Sequence, residues 1–265
     1  MQKAEIFNDS FLTKNLTSLM HICMKKALSY KIIKSSNKKD GTLITEADKE
    51  IDALIKKKLY SIYPGIPIIS EEGELDKNDF LNELYWLVDP IDGTSSYAKK
   101  SNGYTINLAL IHNGNPIIGF IAHPPSNTIW YGLNNKAIVI RDNCEKKIQV
   151  SDFNDKKIRV VLSKSKDFET KGFLKNIPNL EIEYCSSSIK FCRLAEGKAD
   201  MYPRLQSINK WDIAAGDAIL RSAGGTVLNN KGMQLKYNTS IFETGLFFAV
   251  SSKKIWDNII KNNIT

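Results

Sequence analysis

The sequence lacks any apolar run long enough to cross a membrane. Among its 265 residues the most apolar stretch, 104–122, is interrupted at 112–116 by His, Asn, Gly, Asn and Pro. It therefore falls short of the ~18 apolar residues that a bilayer-spanning helix needs. The first ten residues carry Lys3, Glu5 and Asp9 and contain no apolar stretch of the kind that a secretory signal requires. We expect no export and a cytoplasmic location, and the sequence leaves peripheral membrane association open.

Cysteine and histidine are scarce, and their spacing matches no metal or redox motif. Four cysteines, at 23, 144, 185 and 192, form no C-x-x-C pair, and three histidines lack the spacing of a zinc site. We expect reduced thiols, because a chain of this length does not depend on disulfides. The glycine patterns G-x-G-x-x-G and G-x-x-x-x-G-K-[ST] are also missing. The sequence thus does not support a zinc site, a dithiol centre or a P-loop.

The charge balance is basic but dispersed. Lysine and arginine number 37 against 29 acidic residues, a net charge of +8, with 42% apolar and 25% charged residues. This composition is typical of a folded globular protein and excludes collagen, coiled coil and disordered tails. The lysines are scattered among Ile and Asn rather than gathered in an aromatic-studded stripe, so we predict no nucleic-acid partner. Composition leaves the oligomeric state open.

Hydrophobic spacing and turn residues predict the elements of the chain. Leu12, Leu16 and Leu19 fall on one face of a helix over 11–30, and a second helix opens at Thr45 with Asp48 in its first turn. A further helix over 211–223 ends at Gly224-Gly225 and places Asp212 near its N-terminus. The predicted strands are 66–69, 84–88, a hairpin of 104–111 with 116–123 around Asn113-Gly114, then 128–132 and 158–162.

The chain is long enough to form one large domain or two packed ones. The polar stretch 151–157 marks a change of pattern, which predicts a boundary near residue 150 and two parts, 1–150 and 151–265. The first part is expected to pack helices on an antiparallel-rich sheet. The second part is expected to mix short strands and helices and to complete the site.

Three acidic clusters each follow an apolar segment. They are Ser70-Glu-Glu-Gly73, Asp89-Pro-Ile-Asp-Gly-Thr94 and Trp211-Asp212. Carboxylates that converge from strand ends repel one another unless a hard cation holds them together, which predicts a magnesium site. For any single cluster, a turn or a helix cap is the alternative.

Taken together, these strings resemble a known family. Thr45-Glu-Ala-Asp48, Trp86-Leu-Val-Asp-Pro-Ile-Asp-Gly-Thr94 and Trp211-Asp-Ile-Ala-Ala-Gly216 are similar, in order, to three signatures of the inositol monophosphatase superfamily of lithium-sensitive, magnesium-dependent phosphomonoesterases. The similarity runs from about residue 40 to the end. The segment Cys185–Arg204 resembles, more narrowly, the CysQ-type 3'(2'),5'-bisphosphate nucleotidases.

The resemblance implies a fold and a metal site. The fold is a layered αβαβα sandwich with an α+β N-terminal half, an α/β C-terminal half and the active site between them. The implied metal ligands are Glu71, Asp89, the Ile91 carbonyl, Asp92 and Asp212. They would hold two Mg²⁺ ions bridged by Asp89, and a third, weaker ion near Glu71 is compatible with the scheme.

The resemblance also implies roles in catalysis and substrate binding. Asp48 and Thr94 would together accept the proton of the attacking water, and the amides of Gly93 and Thr94 would hold the phosphate. Glu71 and Asp212 would also contact the substrate. Lys190 and Arg204, with Ser187, would hold a second phosphate that is not cleaved. The alternatives are helix capping for Asp48 and solvated surface charges for Lys190 and Arg204.

The implied substrate is a phosphorylated nucleotide, and the implied reaction removes the 3'-phosphate of adenosine 3',5'-bisphosphate in sulfur metabolism. Two departures bear on substrate range: Lys166 stands where the family has His, and Ser95-Ser-Tyr97 replaces the usual Lys-Glu-Phe. The sequence leaves open whether the sulfated nucleotide is accepted and whether Mg²⁺ or Mn²⁺ is used. Inositol monophosphatase or fructose-1,6-bisphosphatase activity on the same site is the first alternative, and a noncatalytic nucleotide- or RNA-binding protein is the second.

Overall fold

A computed structural model describes residues 9–38, 41–74, 76–154, 156–164 and 167–264. Its α-helices are α1 (Asp9–Ser29), α2 (Glu46–Ile62), α3 (Thr94–Ala98), α4 (Phe168–Leu174), α5 (Ile189–Ala195) and α6 (Lys210–Ser222). Two 3₁₀ turns cover Lys77–Leu81 and Pro124–Ser126. A C-terminal helical segment, 253–263, contains a π-helical turn at Trp256–Ile260. No described helix has the length and apolarity of a membrane span.

The strands of the first half are β1 (Ser35–Asn37), β2 (Leu43–Thr45), β3 (Ile68–Ser70), β4 (Leu84–Asp92), β5 (Thr105–His112), β6 (Asn115–His123), β7 (Thr128–Leu133), β8 (Lys136–Arg141) and β9 (Cys144–Ile148). Those of the second half are β10 (Ile158–Leu162), β11 (Leu180–Tyr184), β12 (Met201–Arg204), β13 (Ile208–Asn209), β14 (Thr226–Asn229), β15 (Glu243–Thr244) and β16 (Phe247–Val250). β1 pairs with β2, and β13 pairs with β15, as small antiparallel ribbons.

The larger sheet has seven strands in the order β3-β4-β5-β6-β7-β8-β9. Only the β3–β4 pair is parallel among these neighbours. Side chains alternate between the two faces along each strand, because successive residues of a strand point in opposite directions. Trp86 and Val88 of β4 therefore pack beneath α1 and α2, whereas Tyr85 and Leu87 join the core on the opposite face. Asp89 continues this second face.

Helix α6 lies on that second face and crosses β4, β5, β6 and β7. Two glycines allow it to approach closely. A Cβ added at Gly119 would lie 2.3 Å from the Ala215 carbonyl oxygen, and one at Gly132 would lie 2.7 Å from the Ile219 Cα. The backbone of the helix thus rests directly on the sheet at two points of the second-face core.

The smaller sheet has five strands in the order β11-β10-β12-β16-β14. One face packs on α5 and α6, with Phe247 and Ala249 in the same core as Phe191 and Ala215. The other face packs on α4 and the C-terminal helical segment, in a separate apolar cluster. The layers therefore run helices, seven-stranded sheet, helices, five-stranded sheet, helices, which confirms the expected αβαβα sandwich.

The predicted elements agree with the structure in kind and differ at some boundaries. The first helix, the second helix, the hairpin, β10 and α6 lie where the sequence predicts them. The strand expected at 66–69 is Ile68–Ser70, because Pro67 precedes the first ladder pair, and the strand expected to end at 88 continues to Asp92. Strands β8 and β9 were not predicted. The division near residue 150 stays a prediction.

Candidate functional site

The N-terminus of α2 presents Asp48 to the interior. Thr45 caps the helix, and the buried Asp48 carboxylate in turn accepts hydrogen bonds from the Thr45 amide at 2.8 Å and from the Thr45 hydroxyl. Its other oxygen, Oδ1, accepts one from the Thr94 hydroxyl at 3.2 Å. Burial raises the pKa of Asp48, and the hydrogen bonds from Thr45 and Thr94 oppose that rise. Asp48 is therefore both a capping residue and the partner of Thr94.

Thr94 opens the short helix α3 immediately after β4. Its Oγ1 lies 3.1 Å from the Ile91 carbonyl oxygen as well as 3.2 Å from Asp48. Gly93 precedes it with φ +94, and a Cβ there would lie 2.6 Å from both the Gly103 carbonyl oxygen and the Ser187 Oγ. Only glycine fits this turn, which brings the end of β4 against the loop before α5.

Three carboxylates meet beside this turn. Ligand oxygens of Glu71, Asp89 and Asp212 all lie within 4.8 Å of one another. Asp89 extends from β4 towards α6, and Asp212 lies in the first turn of that helix. Glu71 follows β3, where its amide donates to the Val88 carbonyl at 3.1 Å, so the parallel β3–β4 pair sets it beside Asp89.

At the centre of this cluster, no positively charged side chain of the described residues pairs with Asp89. Asp89 is fully buried, and within the part of the chain that the structure describes no donor hydrogen-bonds to either of its carboxylate oxygens. Burial raises the pKa of Asp89 well above its ordinary value, and the negative charges of Glu71, Asp92 and Asp212 raise it further. Burial, followed by repulsion from Asp92 and Glu71, raises the pKa of Asp212 as well. Convergent, unpartnered oxygen donors fit a divalent hard cation such as Mg²⁺.

Asp92 lies at the edge of the cluster and faces the second half of the chain. Its Oδ2 accepts a hydrogen bond from Ser188 Oγ at 3.0 Å and longer contacts from Thr105 and Asn107 at 3.4 and 3.5 Å. Burial raises the pKa of Asp92, while the Lys190 charge and these hydrogen bonds oppose the rise. Asp92 is thus a predicted carboxylate ligand that neighbouring side chains already orient.

A cavity of about 280 Å³ opens beside these groups. Its lining includes Asp92, Gly93, Ser187, Lys190, Arg204 and Asp212. The Lys190 ammonium is buried, donates to the Ser187 carbonyl at 2.6 Å and lies 5.1 Å from the centroid of the Tyr202 ring. The Arg204 Nε is buried, and no acceptor among the described residues hydrogen-bonds to it. The structure therefore places the two predicted cations at the cavity rather than on an open surface.

Several residues of the site were missed in the sequence. Ser188 donates to Asp92 or to the Asp212 carbonyl at 2.8 Å, and Asn107 donates to Ser188 at 2.9 Å. Lys38 forms ion pairs with Glu71 at 3.0 Å and Glu72 at 2.6 Å. A usable signal existed for Asn107, since a polar side chain within the apolar run of β5 needs a polar partner. Lys166 lies outside the described residues.

Comparison with known proteins identifies the relatives of this chain. The inositol monophosphatase family model matches residues 11–258. The "3'(2'),5'-bisphosphate nucleotidase CysQ" of Buchnera aphidicola subsp. Acyrthosiphon pisum is 40% identical over 223 residues, 83% of each chain. The protein of the same name from Escherichia coli strain K12 is 36% identical over 205 residues, 76% of this chain and 82% of the relative.

The fold also matches solved structures. The crystal structure of CysQ from Bacteroides thetaiotaomicron, described as a bacterial member of the inositol monophosphatase family, superposes with a TM-score of 0.73 at 30% identity, covering 87% of this chain and 93% of that one. An inositol monophosphatase from Thermotoga maritima superposes with a TM-score of 0.74 at 25% identity, covering 95% and 94%. The chain therefore belongs to the inositol monophosphatase family, with CysQ proteins among its similar relatives.

Proposed function

We propose that the protein is a magnesium-dependent phosphomonoesterase that hydrolyses the 3'-phosphate of adenosine 3',5'-bisphosphate to AMP and phosphate. The environment of Asp89 supports this function most directly. Neither of its buried oxygens has a hydrogen-bond donor among the described residues, and they lie close to the carboxylates of Glu71 and Asp212. The adjacent cavity is lined by the cations Lys164, Lys190 and Arg204. The similarity to proteins named bisphosphate nucleotidases supports the choice of substrate.

We assign the metal ligands to Glu71, Asp89, Asp212, the Ile91 carbonyl and Asp92. The first three already converge, and Asp92 borders the same cavity. When bound there, Mg²⁺ would neutralise phosphate charge and lower the pKa of the attacking water. Mg²⁺ suits carboxylate and carbonyl oxygens of this kind. The number of ions, two or three, stays a prediction.

Proton transfer falls to Thr94 and Asp48. The Thr94 hydroxyl donates a hydrogen bond to Asp48 Oδ1. The hydroxyl oxygen of Thr94 can therefore accept a proton from the attacking water while the hydroxyl proton passes to the Asp48 carboxylate. The raised pKa of Asp48 favours acceptance of that proton. The capping bonds from Thr45 hold the other oxygen, Oδ2, and so fix the direction of the carboxylate towards Thr94. The amides of Gly93 and Thr94 are assigned to the phosphate oxygens.

Lys190 and Arg204 are assigned to the phosphate that is not cleaved. Both line the cavity that also contains Asp92 and Asp212, and the buried Arg204 Nε has no acceptor in the described parts of the chain, so it can donate to a phosphate. Charge-assisted hydrogen bonds from a lysine and an arginine suit a phosphate monoester. Ser187 contributes through its carbonyl, which holds the Lys190 ammonium at 2.6 Å. A substrate with a single phosphate would leave these cations unused.

The experiment that tests the function measures phosphate release from adenosine 3',5'-bisphosphate, inositol 1-phosphate and fructose 1,6-bisphosphate. Each is assayed with Mg²⁺ and with or without Li⁺. We expect a strong, lithium-sensitive preference for the nucleotide. A preference for inositol or sugar phosphate would retain the metal chemistry and overturn the assignment of Lys190 and Arg204. Absence of activity on all three would favour the noncatalytic binding protein, whose affinity for RNA would fall steeply with salt. The cytoplasmic location stays a prediction from the sequence.

A further inference from the structure

Lys210 is a fully enclosed lysine at the first residue of α6, two positions before Asp212. Lys210 is 1% exposed. The ammonium donates hydrogen bonds to the Tyr237 carbonyl at 3.0 Å and to the Thr239 carbonyl, and it lies 4.2 Å from the centroid of the Phe80 ring. Among the described residues no carboxylate forms an ion pair with it. A buried ammonium held only by carbonyls and a ring is costly, which calls for an explanation.

The start of α6 is attached to the rest of the fold by the β13–β15 ribbon, by the Ser188 hydroxyl and by Lys210. The N-cap residue Asn209 makes no side-chain hydrogen bond to the helix, although a capping side chain normally satisfies the first amides. Instead the Lys210 amide donates to the Phe242 carbonyl at 3.0 Å, and the Lys210 ammonium binds the carbonyls of 237 and 239. One residue therefore attaches the first turn to the segment 237–242 through both its backbone and its side chain.

The contacts of the ammonium also reach the other side of the metal site. Phe80 lies in the 3₁₀ turn Lys77–Leu81, nine residues after Glu71, and its ring also contacts Phe242 at a centroid distance of 5.6 Å. Lys210 thus contacts the segment that follows Glu71 and the segment that holds the start of α6. The ligands Glu71 and Asp212 come from these two regions of the chain.

We propose that Lys210 is a positioning residue of the metal centre, whose ammonium fixes the first turn of α6 so that the Asp212 carboxylate meets Glu71 and Asp89. The role uses hydrogen bonds and packing, and Lys210 touches neither metal nor substrate. The inference rests on the proposed metal-dependent function.

The test compares Lys210→Met, which keeps the volume and removes the donors, with Tyr85→Phe. Tyr85 is an apt control because its hydroxyl donates to the same Tyr237 carbonyl at 2.9 Å but belongs to β4. For each purified protein, Mn²⁺ affinity is measured by calorimetry, the melting temperature is measured in chelator, and the Mg²⁺ concentration for half-maximal activity is determined.

We expect Lys210→Met to weaken Mn²⁺ binding and to raise the half-maximal Mg²⁺ concentration by about tenfold, which corresponds to about 1.4 kcal/mol. Tyr85→Phe should lower the melting temperature and leave metal binding within about twofold, and Lys210→Arg should restore part of the affinity. Unchanged Mn²⁺ binding in Lys210→Met, or equal weakening in Tyr85→Phe, would overturn the proposal.

Additional variants and the wild-type protein serve as controls for this test. If Lys210→Met does not fold, Lys210→Gln, which retains a donor for one carbonyl, is measured in its place, and Phe80→Leu removes the ring contact without changing a residue of α6. If the wild-type protein binds no Mn²⁺, the proposed metal-dependent function fails. If wild type and all variants bind Mn²⁺ alike, only the positioning role fails.

Discussion

Asp89 and Asp217 are both fully buried carboxylates, and their surroundings differ completely. Asp217, on α6, accepts hydrogen bonds from Arg221 at 2.7 and 2.8 Å and from the Tyr237 hydroxyl at 3.0 Å. For Asp89, on β4, the residues that the structure describes offer no hydrogen-bond donor to either oxygen. Burial raises the pKa of both, but the neighbours of Asp217 oppose the rise, whereas Glu71, Asp92 and Asp212 add to that of Asp89.

This difference distinguishes a carboxylate of the scaffold from a carboxylate of the functional site. When the chain itself satisfies a buried charge, removing that charge destabilises the fold, because it leaves the partner without a counter-charge. A buried charge that the chain leaves unsatisfied weakens folding until something else binds it. The Asp217 network therefore belongs to the scaffold of α6, and Asp89 belongs to the site.

The largest effect is expected for Asp89→Asn. Loss of the central carboxylate should lower kcat by about a thousandfold or more, roughly 4 kcal/mol of transition-state stabilisation. The same substitution removes like-charge repulsion, so the protein in chelator should melt at a higher temperature than wild type. Steady-state kinetics and thermal melts check both. A variant with lower stability and normal kcat would reverse the comparison.

Asp217→Asn should give the opposite pattern. Removing one member of a buried charge pair typically costs about 3–5 kcal/mol, because Arg221 loses its counter-charge. The free energy of unfolding, from urea titration, should fall by about 3 kcal/mol, and kcat per folded molecule should stay within about twofold. A large drop in kcat with unchanged stability would place Asp217 in the site and remove the distinction.

Adding Mg²⁺ should stabilise the protein only where Asp89 is present. A ligand at 100 times its Kd stabilises the folded state by about 2.7 kcal/mol. Thermal melts of wild type and Asp217→Asn should therefore rise with Mg²⁺, and those of Asp89→Asn should not. Equal shifts in all three proteins would mean that the ion binds elsewhere.

Lys190→Met tests the assignment of a cavity cation to the phosphate that is not cleaved. Loss of this cavity cation should lower kcat/KM for adenosine 3',5'-bisphosphate by about 10–100-fold more than for a nucleoside monophosphate, or about 1.4–2.8 kcal/mol. The monophosphate is the control, because it lacks the phosphate assigned to Lys190. Equal losses on both substrates would show that Lys190 supports the cavity without recognising a phosphate.

Asp200 provides a satisfied carboxylate that does not line the cavity, with a smaller expected effect. Burial would raise its pKa, but hydrogen bonds from Arg159 and Ser151 outweigh burial and hold it below the ordinary 3.8. Because the folded pKa is depressed, the stabilisation is present above pH ~4 and is lost as the pH falls through the folded pKa. Asp200→Asn should cost about 2 kcal/mol at pH 7, and urea titrations should show the difference shrinking below pH 4. A difference that does not change with pH would exclude the ion pair as its source.

Local signals predicted most of the scaffold. The spacing of Leu12, Leu16 and Leu19 gave α1, and the Thr45–Asp48 capping pattern gave the start of α2. Strands β8 and β9 were missed although Asn135 and Asn143, both with positive φ, mark the turns on either side of β8. The charged side chains of β9 hide its pairing, since edge strands owe their conformation to their neighbour rather than to apolar alternation.

The residues of the site were predicted mainly from motifs that resemble those of a known family and only in part from physical argument. Carboxylates at strand ends gave the metal cluster, and family resemblance gave Asp48, Thr94, Lys190 and Arg204 their roles. The contacts of Ser188 and Lys38 depend on how distant segments pack, so no local pattern contains them. Lys210 was missed for the same reason, because its partners lie 27 and 29 residues further along the chain.

The two glycines beneath α6 have a consequence for the chemistry. Asp89 is attached to the sheet and Asp212 to the helix, so the depth at which the helix rests determines how far apart the two carboxylates stand. That depth depends on Gly119 and Gly132, where an added Cβ would meet the helix at 2.3 and 2.7 Å. The absence of a side chain at these two glycines therefore sets the separation of the metal-binding carboxylates, although the glycines themselves would contact neither ion nor substrate.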